Sequence, residues 1–263
     1  MLCKPSVQIA FQQNKCLHNF CIPTDVCDIS EENWNLNPEI KSLGVHLDQN
    51  LNMKKHISDV KKYCIGQLRS WRKITEFLNE EVRLMLVKQL LLSKIDYNNS
   101  LLIGIPNSAI NGLQFIINCA IRFIYNLHYH EHVTPFIVKS HILPVKYRID
   151  FKICLMVYNC MHCLAPSYLQ HLLKWNTPTH SVIPVPDKTL CHSGFKPRTT
   201  QDPSLLVIPT DFGNRTKYRS RSFSHYAPRC WNKLPYDIRS CDCKETFKTK
   251  LKTYLFQEFI SNC

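Results

Sequence analysis

The chain has 263 residues, of which 44% are hydrophobic, so it is long enough to bury one large core or two small ones. Only six glycines stand beside 15 prolines, which argues against a glycine-rich nucleotide-binding fold. A formal charge of +13 favours polyanionic partners, with nucleic acid first and an acidic membrane surface second.

Fourteen cysteines raise the question of disulfides or a bound metal. The first ten residues contain Lys4 and Pro5 but no sustained apolar run, so no secretory signal is predicted. The sequence contains no stretch of 18 apolar residues, so no membrane span is predicted. We therefore expect an intracellular protein, in the nucleus or cytoplasm, whose cysteines stay reduced and act as small core residues.

Two strands are predicted near the start of the chain. Val7, Ile9 and Phe11 alternate with polar or small residues, which predicts a strand at 7–11. A second strand is predicted at 41–47, with Gly44 inside it as a sign that another backbone approaches closely.

An amphipathic helix is predicted from Lys54 to Ile74. One side of it carries an apolar stripe at helical spacing, formed by Ile57, Val60, Cys64, Leu68 and Trp71. Seven basic residues against the single acid Asp59 leave a net charge of +6. These are Lys54, Lys55, Lys61, Lys62, Arg69, Arg72 and Lys73. Such an excess is more than a solvated face requires and predicts that the helix follows a phosphate backbone.

Helices continue through the middle of the chain. Asn79 is predicted to cap a helix that ends near Tyr97, with an inner side formed by Val82, Met85, Leu86, Gln89 and Leu90. The next helix is predicted at 108–126, with Ile110, Leu113, Ile117, Ala120 and Ile124 toward the core. Thr134 is expected to cap a short helix starting at Pro135.

A further helix is predicted to begin at Pro144, because proline is tolerated in the first helical turn. Its apolar residues at helical spacing are Val145, Ile149, Ile153, Met156 and Val157. Another short helix is expected to begin at Ala165–Pro166.

The last third of the chain changes character. Residues 174–203 lose apolar periodicity and predict an exposed loop, followed by a possible strand at 205–209. From Arg215 to Lys252 the net charge is +8, and the final helix is predicted at 244–260. The cations at the beginning of this basic segment are Arg215, Lys217, Arg219 and Arg221. Tyr218, Phe223, Tyr226 and Trp231 are interleaved with them, which suits bases stacking on aromatic rings; the alternative is that Phe223 and Trp231 pack inside the core.

Ordered strings of residues run through most of the chain. They are K-x-L-G-V-x-L-D-x-x-L from Lys41, S-K-I-D-Y-N-N-S from Ser93, L-Q-x-x-x-N-x-A-x-R from Leu113, H-I-L-P-V-x-x-R-I-x-F-K from His141, and F-x-x-x-A-P-x-x-W-N-x-L-P-x-x-I-R from Phe223. They resemble the region downstream of the polymerase palm in jockey-like (LINE-type) non-LTR retrotransposon reverse transcriptases. Ile142 stands where that family usually has tryptophan. The resemblance covers roughly residues 41–256.

The resemblance implies a function in nucleic-acid binding. The family's thumb lies along the template–primer duplex, so RNA and DNA are the implied partners, together with the palm and fingers of the parent polymerase and without a membrane. A hairpin containing Leu43, Gly44 and Val45 would position the primer end. The family's polymerase holds magnesium ions with paired aspartates at a Y-x-D-D turn, and no tyrosine of this sequence precedes such a pair. We therefore expect a non-catalytic C-terminal fragment of an RNA-directed DNA polymerase, with no catalytic residue, metal ligand or cofactor of its own.

Two other chemistries remain open. Cys160 and Cys163 form a CxxC pair that Cys191 and His192 could complete as a zinc site, although the spacing is poor. A catalytic cysteine–histidine pair is also possible in a chain with 14 Cys and 12 His. The alternative function is accordingly a helical protein-interaction or zinc-stabilised module without a role in nucleic-acid binding.

Taken together, the elements predict a mainly α protein, a helical thumb-like bundle with a small β hairpin at its N-terminus and a basic α+β C-terminal segment. The predicted divisions are 1–50 for a palm and primer-grip remnant, 51–173 for the helical thumb and connection, 174–203 for a flexible loop, and 204–263 for the basic segment. Because the palm is absent, residues 1–40 are expected to be poorly ordered.

Overall fold

The computed structural model describes residues 39–175, 205–209 and 218–262. The strand predicted at 7–11 lies outside this part of the chain. So do all but two residues of the segment 1–40 that was expected to be poorly ordered; those two, Glu39 and Ile40, belong to a strand. Nearly all of the loop predicted at 174–203 lies outside the described residues too.

The described residues are mainly helical, with one small hairpin, as predicted. The strands are β1 (Glu39–Ser42) and β2 (Val45–Asp48). The helices are α1 (Lys54–Arg72), α2 (Glu80–Leu86), α3 (Ser93–Asp96), α4 (Asn107–Tyr125), α5 (Thr134–Lys139), α6 (Val145–Met161), α7 (Ser167–Gln170), α8 (Phe223–Asn232), α9 (Tyr236–Arg239) and α10 (Lys244–Ser261). A π-helical segment (Val87–Leu92) joins α2 to α3, and short 3-10 turns occupy Thr75–Phe77, Asn99–Leu102 and Arg219–Arg221. No helix among these residues has the length and apolar character needed to cross a bilayer.

The hairpin corrects the prediction of a single strand at 41–47. β1 and β2 are antiparallel and Ser42 pairs with Val45, so Leu43 and Gly44 form a two-residue turn. Their φ angles of 46° and 80° are both positive, as a type I′ hairpin turn requires. Gly44 therefore serves the turn rather than a close approach of another backbone.

The beginning of α1 is held by Asp48 at the end of the hairpin. Its carboxylate accepts hydrogen bonds from the backbone N–H groups of Asn52 and Met53, at 3.0 and 2.8 Å. Met53 has a left-handed conformation with φ of 57° immediately before the helix. The predicted apolar stripe of α1, from Ile57 to Trp71, is buried at all five positions.

The segment from α2 to α3 is only partly as predicted. Asn79 does cap α2, because its side chain accepts a hydrogen bond from the N–H of Val82 at 2.8 Å. The predicted inner side is wrong, since Met85 and Leu90 are almost half exposed. The buried residues are instead Val87, Leu91, Leu92 and Ile95. Apolar residues lie on more than one side of this segment, and its π-helical part does not follow the α-helical period.

The two central helices, α4 and α6, begin in a related way. A proline precedes each of them, Pro106 and Pro144, and neither contributes a side-chain cap. For α6 the cap comes from α4, because the side-chain carbonyl of Gln114 accepts from the Val145 N–H at 3.0 Å. For α5 the predicted cap is wrong: Thr134 is the first helical residue and no side-chain hydrogen bond caps the helix.

One continuous core joins the two halves of the chain. α1 packs along α4, while α6 contacts α8, α10 and the 3-10 turn at Asn99–Leu102. Trp231 of α8 is fully buried, with its ring centroid 5.7 Å from that of Phe247, which in turn stacks on Tyr158 at 4.4 Å. The alternative in which Trp231 packs inside is therefore confirmed.

The strand predicted at 205–209 is reduced to one bridge. Leu206 pairs with Trp175 in an isolated antiparallel bridge. The side chain of Asn232 holds the Leu206 backbone on both sides, accepting from its N–H at 2.9 Å and donating to its carbonyl at 2.8 Å. One side chain thus fixes an extended segment that belongs to no sheet of the described residues.

Two glycines give opposite stability predictions. Gly66 lies within α1 and a Cβ there would meet no atom within 4 Å, so Gly66→Ala should raise the free energy of unfolding by about 0.5–1 kcal/mol. Gly104 has φ of 61° and a Cβ there would come within 2.6 Å of Cγ of Arg221, so Gly104→Ala should be destabilising. Urea denaturation followed by circular dichroism measures both. A destabilised Gly66→Ala protein would contradict the open position assigned to this residue.

Candidate nucleic-acid interface

A groove of about 600 Å³ runs between α1 and the beginning of α4. Four of the predicted cations lie on the α1 side: Lys54, Lys61, Lys62 and Arg69. The opposite side is formed by Pro106, Ser108 and Ala109. The structure therefore brings together the basic helix and a second wall about forty residues further along the chain.

The four groove cations have no acidic partners among the residues that the structure describes. None of them enters a salt bridge within the described part of the chain. Asp59, the one acid of α1, lies 3.4 Å from the Nε2 atom of His46 and does not line the groove. The groove thus carries four positive charges that an external anion could neutralise.

The beginning of α4 adds to this positive potential. The first N–H groups of a helix have no partner within it, and the helix dipole places partial positive charge there. Pro106 supplies no side-chain cap, and no hydrogen bond from the Asn107 or Ser108 N–H occurs among the described residues. Both N–H groups therefore remain available for an anion in the groove.

Glycines reduce the bulk of α1 within the groove and of α4 beside Lys61. Gly66 lines the groove, and nothing lies within 4 Å of the position a Cβ would take. At Gly112 of α4, a Cβ would lie 3.4 Å from the Nζ atom of Lys61. The ammonium group of Lys61 therefore extends from α1 over the surface of α4, where the absence of a side chain leaves it room.

The other predicted cations of α1 lie elsewhere. Lys55, Arg72 and Lys73 are exposed but do not line the groove. The seven basic residues thus divide into four in the groove and three outside it.

Arg221 has a structural position rather than an exposed one. Its Nε donates to the carbonyl oxygen of Ile103 at 2.9 Å, and its Nη2 donates to that of Leu51 at 2.8 Å. The remaining nitrogen, Nη1, is buried, and burial lowers the pKa of the guanidinium. Arg221 is thus used to join three segments of the chain, and we no longer assign it to phosphate contact.

Arg219 is also engaged, since its Nε donates to the Nε2 atom of His225 at 3.0 Å. Arg215 and Lys217 lie outside the described residues. Of the first four cations of the basic C-terminal segment, the structure describes two, Arg219 and Arg221. Both make hydrogen bonds within the protein.

The interleaved aromatic residues do not form a stacking surface. Trp231 is buried, Phe223 is partly buried against the core, and the hydroxyl of Tyr226 donates to Asp150 at 2.6 Å. Only Tyr218 of the four is exposed, at 39%. The prediction that these rings stack together on bases is wrong, because helix α8 turns most of them inward.

The hairpin that resembles a primer grip presents one apolar residue. Leu43 at the turn is 86% exposed, while Val45 is buried. The hydroxyl of Tyr97 donates to the Leu43 carbonyl at 2.6 Å and thereby supports the turn from behind. Gly44 lies next to the same ring: a Cβ atom at this position would be 3.7 Å from the Cε1 atom of Tyr97.

The suggested zinc ligands do not converge in what can be described. Cys160 is buried and Cys163 is exposed, while Cys191 and His192 lie outside the described ranges. No group of three or more His, Cys, Asp or Glu residues suited to a metal occurs among the residues that the structure describes. Burial raises the pKa of Cys64 to about 11 and also raises the pKa of Cys160, so neither thiol is poised as a nucleophile.

Comparison with protein-family models, with curated proteins and with solved structures finds no match to this chain. Function is therefore to be inferred from the groove, its charges and the ordered motifs of the sequence.

Proposed function

We propose that this chain is a non-catalytic part of a non-LTR retrotransposon reverse transcriptase, and that it binds the template–primer duplex through the α1 groove. The observation that carries the proposal is a set of four cations that face an uncapped helix end and have no acidic partner within the described ranges. The ordered motifs between residues 41 and 256 support the choice of polymerase family.

The length of α1 suits contact with the backbone of a duplex. From Lys54 to Arg69 the α1 helix rises about 22 Å, at 1.5 Å per residue. That length is roughly two-thirds of one turn of a nucleic-acid duplex, which is about 34 Å. Cations distributed over this distance can each meet a phosphate of the same backbone.

The contacts expected from this groove position a duplex without reading its bases. Lysine, arginine and helix N–H groups bind phosphate oxygens, which carry no direct sequence information. The hairpin tip at Leu43 would then approach the primer end, as the resemblance implies. The magnesium-binding aspartates of the intact polymerase would belong to the palm, so this chain by itself is proposed to lack polymerase activity.

The test is a salt series with an RNA–DNA hybrid, measured by fluorescence anisotropy. If each of four cations neutralises one phosphate, log affinity should fall against log salt with a slope of about −3.6. Between 50 and 200 mM salt the affinity should then fall roughly 150-fold, with little dependence on base sequence.

A hybrid that does not bind at 50 mM salt, or binds with an affinity independent of salt, would contradict the proposal. A protein-interaction role would then be the better interpretation. Strong discrimination between hybrids of the same length but different sequence would also contradict it, because phosphate contacts do not discriminate in this way.

A further inference from the structure

A second groove lies between α6 and α10, away from the α1 groove. It consists of two adjoining cavities of about 320 and 450 Å³. Both are lined by His141, Phe151 and Lys252, so they form one continuous depression.

The positive charge in this second groove is only partly compensated. Arg148 pairs with Asp96, with Nε 2.7 Å from Oδ1, and Lys248 pairs with Glu245 at 2.7 Å. In contrast, Lys152 and Lys252 enter no salt bridge with any residue that the structure describes. The pKa of Lys252 is lowered first by burial and then by the nearby charges of Lys88 and Arg148. An anion bound here would relieve this concentration of positive charge.

The walls of the larger cavity are aromatic and aliphatic. Phe151 of α6 and Phe256 of α10 both line it, together with Val138 and Ile260. The His141 ring meets the Phe256 ring edge to face, with centroids 6.0 Å apart. A flat ring of a ligand would find apolar surface here, next to the two lysines.

The side-chain amide of Asn99 lines the smaller cavity, and only one of its two polar atoms has a hydrogen-bond partner among the described residues. Asn99 is only 3% exposed. Its Nδ2 donates to Asp96 at 3.4 Å, but its Oδ1 is buried without a hydrogen-bond partner. Buried acceptors are normally satisfied, so this carbonyl oxygen marks a place for a donor.

We infer that this second groove binds a ribonucleoside phosphate. The phosphate would lie between Lys152 and Lys252, and the base would lie against Phe151 and Phe256. A ribose hydroxyl would donate to the Oδ1 atom of Asn99, after a small rotation of the amide. A 2′-hydroxyl is the group by which proteins distinguish RNA from DNA, so the groove should prefer ribonucleotides.

The inference goes beyond the proposed function and does not depend on it. The α1 groove binds phosphates of a duplex, whereas the second groove accommodates one unpaired nucleotide. The Lys61, Lys62 and Arg69→Ala triple variant should therefore retain nucleotide binding, which separates a failure of one site from a failure of the other.

The test is a nuclear magnetic resonance titration of the full chain with adenosine monophosphate, its 2′-deoxy counterpart and inorganic phosphate. Adenosine monophosphate should bind about 2- to 12-fold more tightly than the deoxy form, the effect of one hydrogen bond, and more tightly than inorganic phosphate. Lys252→Gln should weaken its binding about tenfold or more. Lys250→Gln removes the same charge from the same helix but lies outside the groove, and should leave binding unchanged.

Three results would overturn the inference: equal affinity for the ribose and deoxyribose nucleotides, equal affinity for inorganic phosphate, or an unchanged affinity in Lys252→Gln. The same titration with a five-residue RNA of adenosines distinguishes the source of the nucleotide. The RNA is added to the Lys61, Lys62 and Arg69→Ala triple variant, so that the α1 groove contributes little to its binding. Tighter binding of that RNA then identifies a single strand as the ligand of the second groove, and equal binding identifies a free nucleotide; either result supports the second groove only if Lys252→Gln weakens that binding.

Discussion

Replacing Lys61, Lys62 and Arg69 together by alanine is expected to reduce the salt slope of hybrid binding by about 2.7 units, from about −3.6 to about −0.9. These three residues supply most of the unpaired charge in the α1 groove. Alanine has a high helix propensity, so α1 should stay folded after the substitutions. Fluorescence anisotropy across the salt series measures the slope, and circular dichroism confirms the helix.

A matched control is available on the same helix. Lys55, Arg72 and the adjoining Lys73 carry the same total charge but do not line the groove. Their triple replacement by alanine should change the slope much less, because distant exposed charges are screened by salt. Equal effects of the two triple variants would show that net charge, rather than the groove, governs binding.

Trp231→Ala is expected to lower the free energy of unfolding by about 3–5 kcal/mol, the usual cost of removing a large buried aromatic side chain. Trp231 is fully buried against Phe247, and Phe247 in turn stacks on Tyr158 of α6. The substitution would leave a cavity where α6, α8 and α10 meet. Chemical denaturation followed by circular dichroism is the measurement.

Tyr236→Ala serves as the control for this loss. Tyr236 is 57% exposed on α9, so its removal should change stability by no more than about 0.5 kcal/mol. A Trp231→Ala protein of normal stability that binds single-stranded RNA more weakly would restore the base-stacking role predicted from the sequence.

The helices with one clear apolar stripe were predictable. In α1 and α4 the apolar residues recur on a single side, whereas α6 buries residues on several sides, among them Tyr147, Cys154 and Tyr158. The segment from Leu84 to Leu92 was not predictable in the same way, because apolar residues surround it and its π-helical part departs from the α-helical period. The turn at Leu43 and Gly44 was not predicted from the residues themselves, because leucine rarely adopts positive φ. The resemblance, in contrast, did imply a hairpin at that place.

For the candidate site, the sequence located one wall and not the other. The charge on α1 can be counted along a single helix, whereas the position of Pro106 and Ser108 opposite it depends on how α4 packs. The role of Arg221 was hidden for the same reason, since its partners, Leu51 and Ile103, are 170 and 118 positions away. Counting cations in a basic segment does not reveal which of them the fold uses internally.

The contact between Arg221 and Leu51 can form only late in the synthesis of this chain, so it delays the completion of folding. A ribosome adds about 5–20 residues per second, so the 170 positions between these two residues take roughly 9 to 34 s to synthesise. During that time the hairpin and α1 have emerged, but the guanidinium that links them to Ile103 does not yet exist. The apolar side of helix α6 that packs against α8 likewise stays uncovered until Trp231 has been synthesised. The early part of the chain must therefore remain unaggregated with its core open until the last fifth of the protein has been made.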